Sequence, residues 1–276
     1  MAMSPLPKNA LLFTADAVSM YTNIDKAHAK SEIKKWLLQL FQREHRDLTE
    51  IDRLLEALDL VMNNNLFAFG DTYWKQISGV AMGTPAACML STIYYGIHEN
   101  NILIPKYKHN IPFLKRFIDD MLGVFVINTE KDLEIWESFK NDLPFGQLRW
   151  TQSSLSTSVD FLDLTITLRK DKVLSTRTFQ KKMNLYLYIP PYSAHAPGLF
   201  KSIIYSTIRR YWLQNSHWED FKHIIESFFT RLTDRGYKEY NIRPIFKSTL
   251  EYLTETIPFQ TTDGMQPMSR SEMIKN

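Results

Sequence analysis

The chain is best interpreted from one segment, Arg116-Phe117-Ile118-Asp119-Asp120-Met121-Leu122-Gly123-Val124-Phe125-Val126. Two apolar runs flank a pair of adjacent aspartates, a pattern that predicts two neighbouring strands joined at Asp119-Asp120. A simple hairpin turn would explain one aspartate, because Asp tolerates turn geometry and can bond to its own backbone. A second adjacent carboxylate adds electrostatic repulsion, which a divalent cation would offset. The segment therefore raises the question of a third carboxylate and a ligand pocket elsewhere in the chain.

Composition limits the class of protein. The 276 residues are 44% hydrophobic and 13% aromatic, which supports a substantial core in one or two domains and argues against global disorder. The one cysteine, Cys88, excludes an internal disulfide framework and a multi-cysteine zinc site. No apolar run approaches the length of a membrane span, and the first nine residues do not resemble a secretory signal. We expect an intracellular protein with no membrane partner.

Charge is distributed unevenly although the net charge is only +3. In the last third, basic residues recur among aromatic ones, as in the stretches 181–192 and 200–218. Such a mixture suits a nucleic-acid backbone with stacking contacts. An ordinary solvated helix face above a buried aromatic stripe explains it equally well.

A third carboxylate lies near the start of the chain. The apolar run Ala10–Ala15 predicts a buried strand, and Asp16 follows it, before a helical pattern from Asp25 to Arg43. This spacing places Asp16 at the rim of a sheet. A helix-capping or turn aspartate is the alternative for an isolated residue.

The segment 76–87 carries the other notable signal. Gly79 and Gly83 allow close backbone approach to a ligand, and Thr84-Pro85 indicates a helix start before an apolar helix to Asn101. No Gly-Lys-Ser/Thr follows, so it is not a phosphate-binding loop of that type. A plain glycine-containing loop before a helix is the simpler interpretation of these glycines alone.

The remaining pattern predicts alternating helices and strands. We expect helices at 47–64, 130–140 and from 199 to about 238, a small hairpin at 66–76 about Gly70-Asp71, and strands at 145–151, 158–168 and 173–179. A proline-rich stretch near 189–198 predicts a subdomain boundary. The polar tail from 260 is expected to be loose.

If the strand before Asp16 neighbours the Asp119-Asp120 hairpin, the three carboxylates converge at one sheet rim. Carboxylate oxygens suit Mg²⁺, and no His or Cys cluster suggests a softer metal. Two Mg²⁺ ions held there would serve nucleotidyl transfer.

With this order of motifs the sequence resembles a reverse transcriptase. Asp16-Ala17-Val18-Ser19-Met20-Tyr21 is similar to the family's first carboxylate motif, and Phe117-Ile118-Asp119-Asp120 to its aromatic-x-Asp-Asp motif. The segment 76–85 lies between them, where the family has its Gly-Pro loop. Four stretches more narrowly resemble Penelope-like retroelement polymerases, namely 19–24, 79–85, 161–164 and 188–195.

The resemblance implies roles for individual residues. Asp16 and Asp119 would be the main Mg²⁺ ligands, with Asp120 assisting. Tyr21 would pack under the incoming sugar and select deoxynucleotides. The template–nucleotide pocket would be lined by Gln76, Gly79, Gly83 and Pro85. The region 184–195 would resemble the primer grip.

The resemblance also implies an α+β fold in which a polymerase palm, an antiparallel sheet backed by helices, precedes a helical thumb. We expect a palm in residues 1–189, a thumb-like subdomain in 190–258 and a polar tail in 259–276. The partners would be an RNA template, a DNA primer and deoxynucleoside triphosphates, in the nucleus. Only some fifteen residues precede Asp16, so the nucleotide-holding fingers would come from a partner chain or a missing segment.

Three functions remain open from the sequence. The first is RNA-directed DNA polymerisation. The second is a truncated or inactive remnant that binds nucleic acid without catalysis. The third is another palm-type nucleotidyl transferase or cyclase without a template, which the primer-grip-like stretches argue against.

Overall fold

The computed structural model describes residues 5–196, 198–257 and 259. These residues form two compact units, residues 7–156 and the residues from 157 onward together with 5 and 6. The first unit contains β1 Ala10–Ala17, α1 Met20–Asn23, α2 Lys26–Arg43, α3 Thr49–Asn63, β2 Leu66–Phe69, β3 Thr72–Lys75, α4 Ala87–His98, a π-helical turn Glu99–Leu103, α5 Ile104–Tyr107, β4 Phe113–Phe117, β5 Asp120–Val126, α6 Lys131–Asp142 and β6 Trp150–Gln152. The second contains β7 Ser158–Phe161, β8 Leu164–Leu168, β9 Leu174–Thr178, α7 Leu199–Gln214, α8 Trp218–Asp234 and α9 Glu239–Thr256.

The first unit is built on a four-stranded sheet in the order β4-β5-β1-β6. All its neighbouring strands run antiparallel. Alternate residues of β1, including Phe13 and Ala15, are buried in one apolar cluster with side chains of α2, α4 and α6. Asp16, on the opposite face of β1, is exposed. Helices therefore cover one face of the sheet, and Asp16 projects from the other face, at the end of β1.

The second unit combines a three-stranded antiparallel sheet, β7-β8-β9, with three long helices. The helices share an apolar core that includes Ile208, Phe228 and Leu253, all fully or almost fully buried. The start of the α7–α8 connection joins this core to the sheet, because Asn215 Oδ1 accepts a 2.9 Å hydrogen bond from the Thr178 amide. The predicted α+β fold, with a helix-backed antiparallel sheet followed by a helical part, is confirmed.

The strand predicted at 158–168 is wrong. The segment is a hairpin of β7 and β8, with Phe161 paired to Leu164 across the turn Leu162-Asp163. The sequence does not predict this turn, because Leu162 adopts φ 53°, a backbone conformation that normally requires glycine. A leucine at this position therefore gives no indication of a turn. The strand predicted at 145–151 is also shorter, since β6 begins only at Trp150 and residues 145–148 form a tight turn.

The division between compact units falls after residue 156, whereas the predicted palm–thumb boundary lies at 189/190, within the second unit. That boundary stays a prediction. The predicted tail, apart from Phe259, lies outside the described residues. Among those residues, no helix is long and apolar enough to cross a membrane.

Candidate active site

Asp16 and Asp120 lie directly opposite each other in the central strand pair β1–β5. The adjoining amide of Ala17 donates a 3.0 Å hydrogen bond to the Asp119 carbonyl, so Asp16 and Asp120 occupy the closer, non-hydrogen-bonded kind of pair. Side chains at such opposed positions project from the same face, with Cβ atoms about 5 Å apart. The fold therefore unites two carboxylates separated by more than a hundred residues in sequence.

Asp119 occupies the two-residue turn between β4 and β5, directly after a strained residue. Ile118 has φ 54°, a left-handed conformation that is a genuine outlier for a β-branched side chain. Two-residue hairpins with positive φ at the first turn position normally use glycine there. Backbone strain of this kind costs about 1–3 kcal/mol and persists where surrounding structure imposes it, most often at functional sites.

Arg116 is the residue that braces this turn. Its Nη1 donates a 2.6 Å hydrogen bond to the Ile118 carbonyl, and its Nε and Nη2 each bond a carboxylate oxygen of Glu99 at 2.8 Å. The Arg116 side chain is only 4% exposed and lies over the Tyr95 ring, 5.0 Å from its centroid. A buried bidentate ion pair therefore ties the strained turn to the π-helical turn that begins at Glu99.

Tyr21 lies within the electrostatic reach of Asp119. Its hydroxyl is 3.2 Å from Cys88 Sγ at the start of α4. The hydrogen bond to Cys88, reinforced by partial burial and by the negative charge of Asp119, raises the pKa of Tyr21 to about 12. Tyr21 is therefore tied to α4 through Cys88 and lies within the electrostatic reach of Asp119.

Gly79 packs against the backbone of Tyr21 and Thr22. A Cβ at this position would lie 2.5 Å from the Tyr21 carbonyl oxygen and 2.6 Å from Thr22 Cα. The next amide, of Val80, donates a 2.6 Å hydrogen bond to the same carbonyl. The contact brings the glycine loop of residues 79–85 to the segment that carries Tyr21, and the glycine is required by this close approach and by its φ of 70°.

The other predicted pocket residues flank this contact. Gln76 follows β3, its carbonyl accepts a 3.2 Å hydrogen bond from Lys26 Nζ, and its side chain donates to the Ser78 carbonyl. Gly83 has φ 92° and no neighbour within 4 Å of a would-be Cβ. Pro85 lies in the turn just before α4 begins at Ala87. The structure thus brings Gly79 to the tyrosine segment, ties Gln76 to α2 and leaves Gly83 open on the loop.

The donor set fits Mg²⁺ in type, since all three predicted ligands are carboxylates. In the described part of the chain, however, no three or more His, Cys, Asp or Glu side chains are grouped closely enough to hold a metal ion. Like-charged carboxylates repel one another without a cation between them, so a set of this kind need not assemble before an ion binds. The metal-binding role of Asp16, Asp119 and Asp120 remains a prediction.

Sequence reasoning missed Arg116, Glu99 and Cys88. A basic residue close to the end of a strand, three positions before Asp119, was the available signal for Arg116. Its partner Glu99 follows α4 with no local pattern to mark it, because their contact arises from tertiary packing.

Comparison with solved structures finds polymerases. A telomerase from Candida albicans, solved with a fragment of telomeric RNA, is 13% identical, with a TM-score of 0.55 over 90% of this chain and 42% of its own. The RNA-dependent RNA polymerase of a human picobirnavirus is 12% identical, with a TM-score of 0.52 over 92% and 47%. A further structure, described as an RdRp complex, has 12% identity and a TM-score of 0.52 over 78% and 20%.

This chain therefore spans less than half the length of these polymerases. At such identities the likeness establishes a polymerase-type fold. A family model described as an animal helix-turn-helix domain matches residues 187–247, which include α7, α8 and the first part of α9. Comparison with curated proteins gave no match.

Proposed function

We propose that this chain is the reverse-transcriptase domain of a Penelope-like retroelement, an RNA-directed DNA polymerase that acts in the nucleus. The cross-strand pair Asp16–Asp120 beside the Asp119 turn carries the proposal. The order of the motifs and the polymerase-type fold support it. The retroelement assignment rests on the sequence motifs alone.

In this proposal Asp16, Asp119 and Asp120 hold two Mg²⁺ ions, which when bound would activate the primer 3′-hydroxyl and stabilise the leaving pyrophosphate. Tyr21 packs against the incoming sugar, and its hydroxyl is uncharged at neutral pH, as that of an ordinary tyrosine is. The Gly79 contact holds the glycine loop against the Tyr21 segment, so that template, nucleotide and primer end are presented to one rim of the sheet. The fingers would come from a partner chain or from a segment outside this sequence.

A second candidate is a nucleic-acid-binding chain without catalysis. Two observations favour it, the lack of a preassembled metal group among the described residues and the helix-turn-helix match over 187–247. Helix-turn-helix units commonly bind DNA through their second helix.

Primer extension on poly(rA)/oligo(dT) with Mg²⁺ and dTTP separates the two. We expect extension by the unmodified chain, its loss in Asp119→Asn, and its retention in Asp52→Asn, which removes an exposed carboxylate on α3. Salt-dependent binding of the primer–template without any extension would reject the polymerase and favour the second candidate. Equal extension by Asp119→Asn and the unmodified chain would reject the catalytic assignment.

A further inference from the structure

The β2–β3 hairpin of the first unit exposes both of its faces. Among the described strands, β2 and β3 pair only with each other, and all their residues are exposed. Phe67 lies opposite Trp74, and Phe69 follows two positions after Phe67, so these three aromatic side chains share one face. A two-stranded hairpin is at best marginally stable alone in water, and an exposed apolar surface of this kind indicates an interaction site.

A groove on the same unit has a complementary character. Its volume is about 700 Å³, and it lies between α2, the segment from α4 to α5, and strand β4. Pockets of this volume hold ligands as large as several aromatic rings. Apolar side chains line the groove from all three sides, namely Trp36, Leu40, Ile93, Ile97, Ile104 and Leu114.

Strand β4 presents an open edge to this groove. It is an outermost strand of its sheet and pairs only with β5 among the described strands. Because Asp120 forms a non-hydrogen-bonded pair with Asp16, its backbone groups point to β4, and the alternation along the ladder directs those of Leu114 and Arg116 to the outer edge. No described residue bonds these N–H and C=O groups. An edge of this kind accepts an additional strand.

The hairpin and the groove also carry opposite charges. Asp71 lies at the tip of the hairpin, in the turn between β2 and β3. Arg43 and Lys115 line the groove, and both are exposed. Among the lining residues, Glu99 is the one carboxylate, and it is already paired with Arg116. The groove therefore offers positive charge to an acidic hairpin tip.

We propose that two copies of this chain form a twofold dimer in which the β2–β3 hairpin of each copy enters the groove of the other. One strand of the hairpin pairs with the open edge of β4, and the aromatic face covers the apolar lining. Because one chain carries both surfaces, mutual exchange covers each of them and closes the assembly. This inference goes beyond the proposed polymerase function, because it uses none of the palm carboxylates.

The area of the exchanged hairpins suits a stable dimer. Phe67, Phe69 and Trp74 are each more than half exposed, and a buried aromatic side chain covers about 150–250 Å², so the face offers about 400 Å². Two hairpins and the two grooves that receive them then bury about 1,600 Å², the usual size of a specific protein interface.

The mass of the full chain in solution, measured by light scattering and sedimentation over a wide range of concentrations, tests the proposal. We expect twice the mass of one chain. Phe69→Ser in the hairpin and Ile104→Asp in the groove, both at exposed positions, should each weaken dimerisation about tenfold or more. Leu213→Ser, which removes an exposed apolar side chain of α7, is the matched control and should dimerise normally.

Mixing two defective chains separates hairpin exchange from stacking of one hairpin on another. One chain carries Phe67→Ser, Phe69→Ser and Trp74→Ser, and the other carries Ile104→Asp and Lys115→Glu. Each should be monomeric alone, and the mixture should form heterodimers, because one intact hairpin then meets one intact groove. Circular dichroism confirms that both chains fold.

Three results would each overturn the proposal: a monomer at every concentration, a dimer that survives both sets of substitutions, or a mixture that stays monomeric. Asp119→Asn should dimerise like the unmodified chain. The test therefore stands whether or not the chain extends a primer.

Discussion

Phe13 and Gly123 face each other across β1 and β5, and the Phe13 ring occupies the space where a Gly123 side chain would extend. The same ring packs edge-on against Trp136 and Phe139 of α6, with centroid distances of 4.9 and 5.4 Å. A one-residue slip of this pair would turn the ring out of the core. The Phe13–Gly123 contact thus helps to fix the register that sets Asp16 opposite Asp120.

Gly123→Ala should therefore destabilise the first unit. The new methyl group would overlap the Phe13 ring, and overpacking of a buried site costs about 1–3 kcal/mol. Chemical denaturation measures the change. Gly96→Ala, within α4, is the matched control, since a Cβ there meets only Arg116 Nη2 at 3.8 Å and Glu99 Oε2 at 3.9 Å. It should be neutral or stabilising by up to about 1 kcal/mol. An equal loss in both variants would reject the role of the ring contact.

The two loop glycines should respond differently to alanine. Gly79→Ala would bring a Cβ into the Tyr21–Thr22 backbone, whereas Gly83→Ala meets open space and adds only backbone strain. We expect Gly79→Ala to abolish primer extension and Gly83→Ala to retain part of it. Circular dichroism confirms that both variants fold. If Gly79→Ala kept full activity, the contact would not position the loop.

The Arg116–Glu99 pair should combine a structural and a positioning role. Arg116→Met leaves the Glu99 charge buried without its partner, so we expect a loss of about 3–5 kcal/mol in unfolding free energy. The double variant Arg116→Met/Glu99→Leu should recover much of that stability, since two apolar side chains replace the pair. Extension should stay low in the double variant, because the Ile118 carbonyl has still lost its donor. Recovery of activity together with stability would show a structural role alone.

Magnesium should stabilise the folded chain if the carboxylates bind it. A ligand that binds only the folded state at 100 times its Kd adds about 2.7 kcal/mol. We expect the melting temperature of the unmodified chain to rise with MgCl₂ and that of Asp16→Asn and Asp119→Asn to rise much less. Asp52→Asn serves again as the exposed-carboxylate control. A shift shared by all four proteins would exclude these aspartates as ligands.

His98 should make stability fall in mild acid. Burial lowers the pKa of His98 below its ordinary value of 6.5, against the opposing effect of its 2.7 Å contact with the Asp142 carbonyl. Below about pH 6.5 the unfolded chain then binds a proton that the folded chain does not, so unfolding becomes easier as the pH falls. Denaturation at a series of pH values should show this slope, and His98→Gln should reduce it.

Local patterns in the sequence were sufficient for most elements. Apolar periodicity predicted α2, α3 and α6, and the polar step in an apolar segment predicted the β4–β5 hairpin. The types of the candidate site residues, carboxylates and glycines, were equally visible. These signals are local because helix, strand and turn preferences depend on neighbouring residues.

Tertiary structure decided the rest. The pairing of Asp16 with Asp120 depends on a strand register to which packing at Phe13 contributes. The bracing of Ile118 by Arg116 depends on Glu99, which belongs to another element, the π-helical turn. The turns at Ile118 and Leu162 place aliphatic residues at positive φ, against their own preference. Only the packing of the whole unit can impose such conformations, so the chain determined which residues are present and the tertiary structure determined which of them meet.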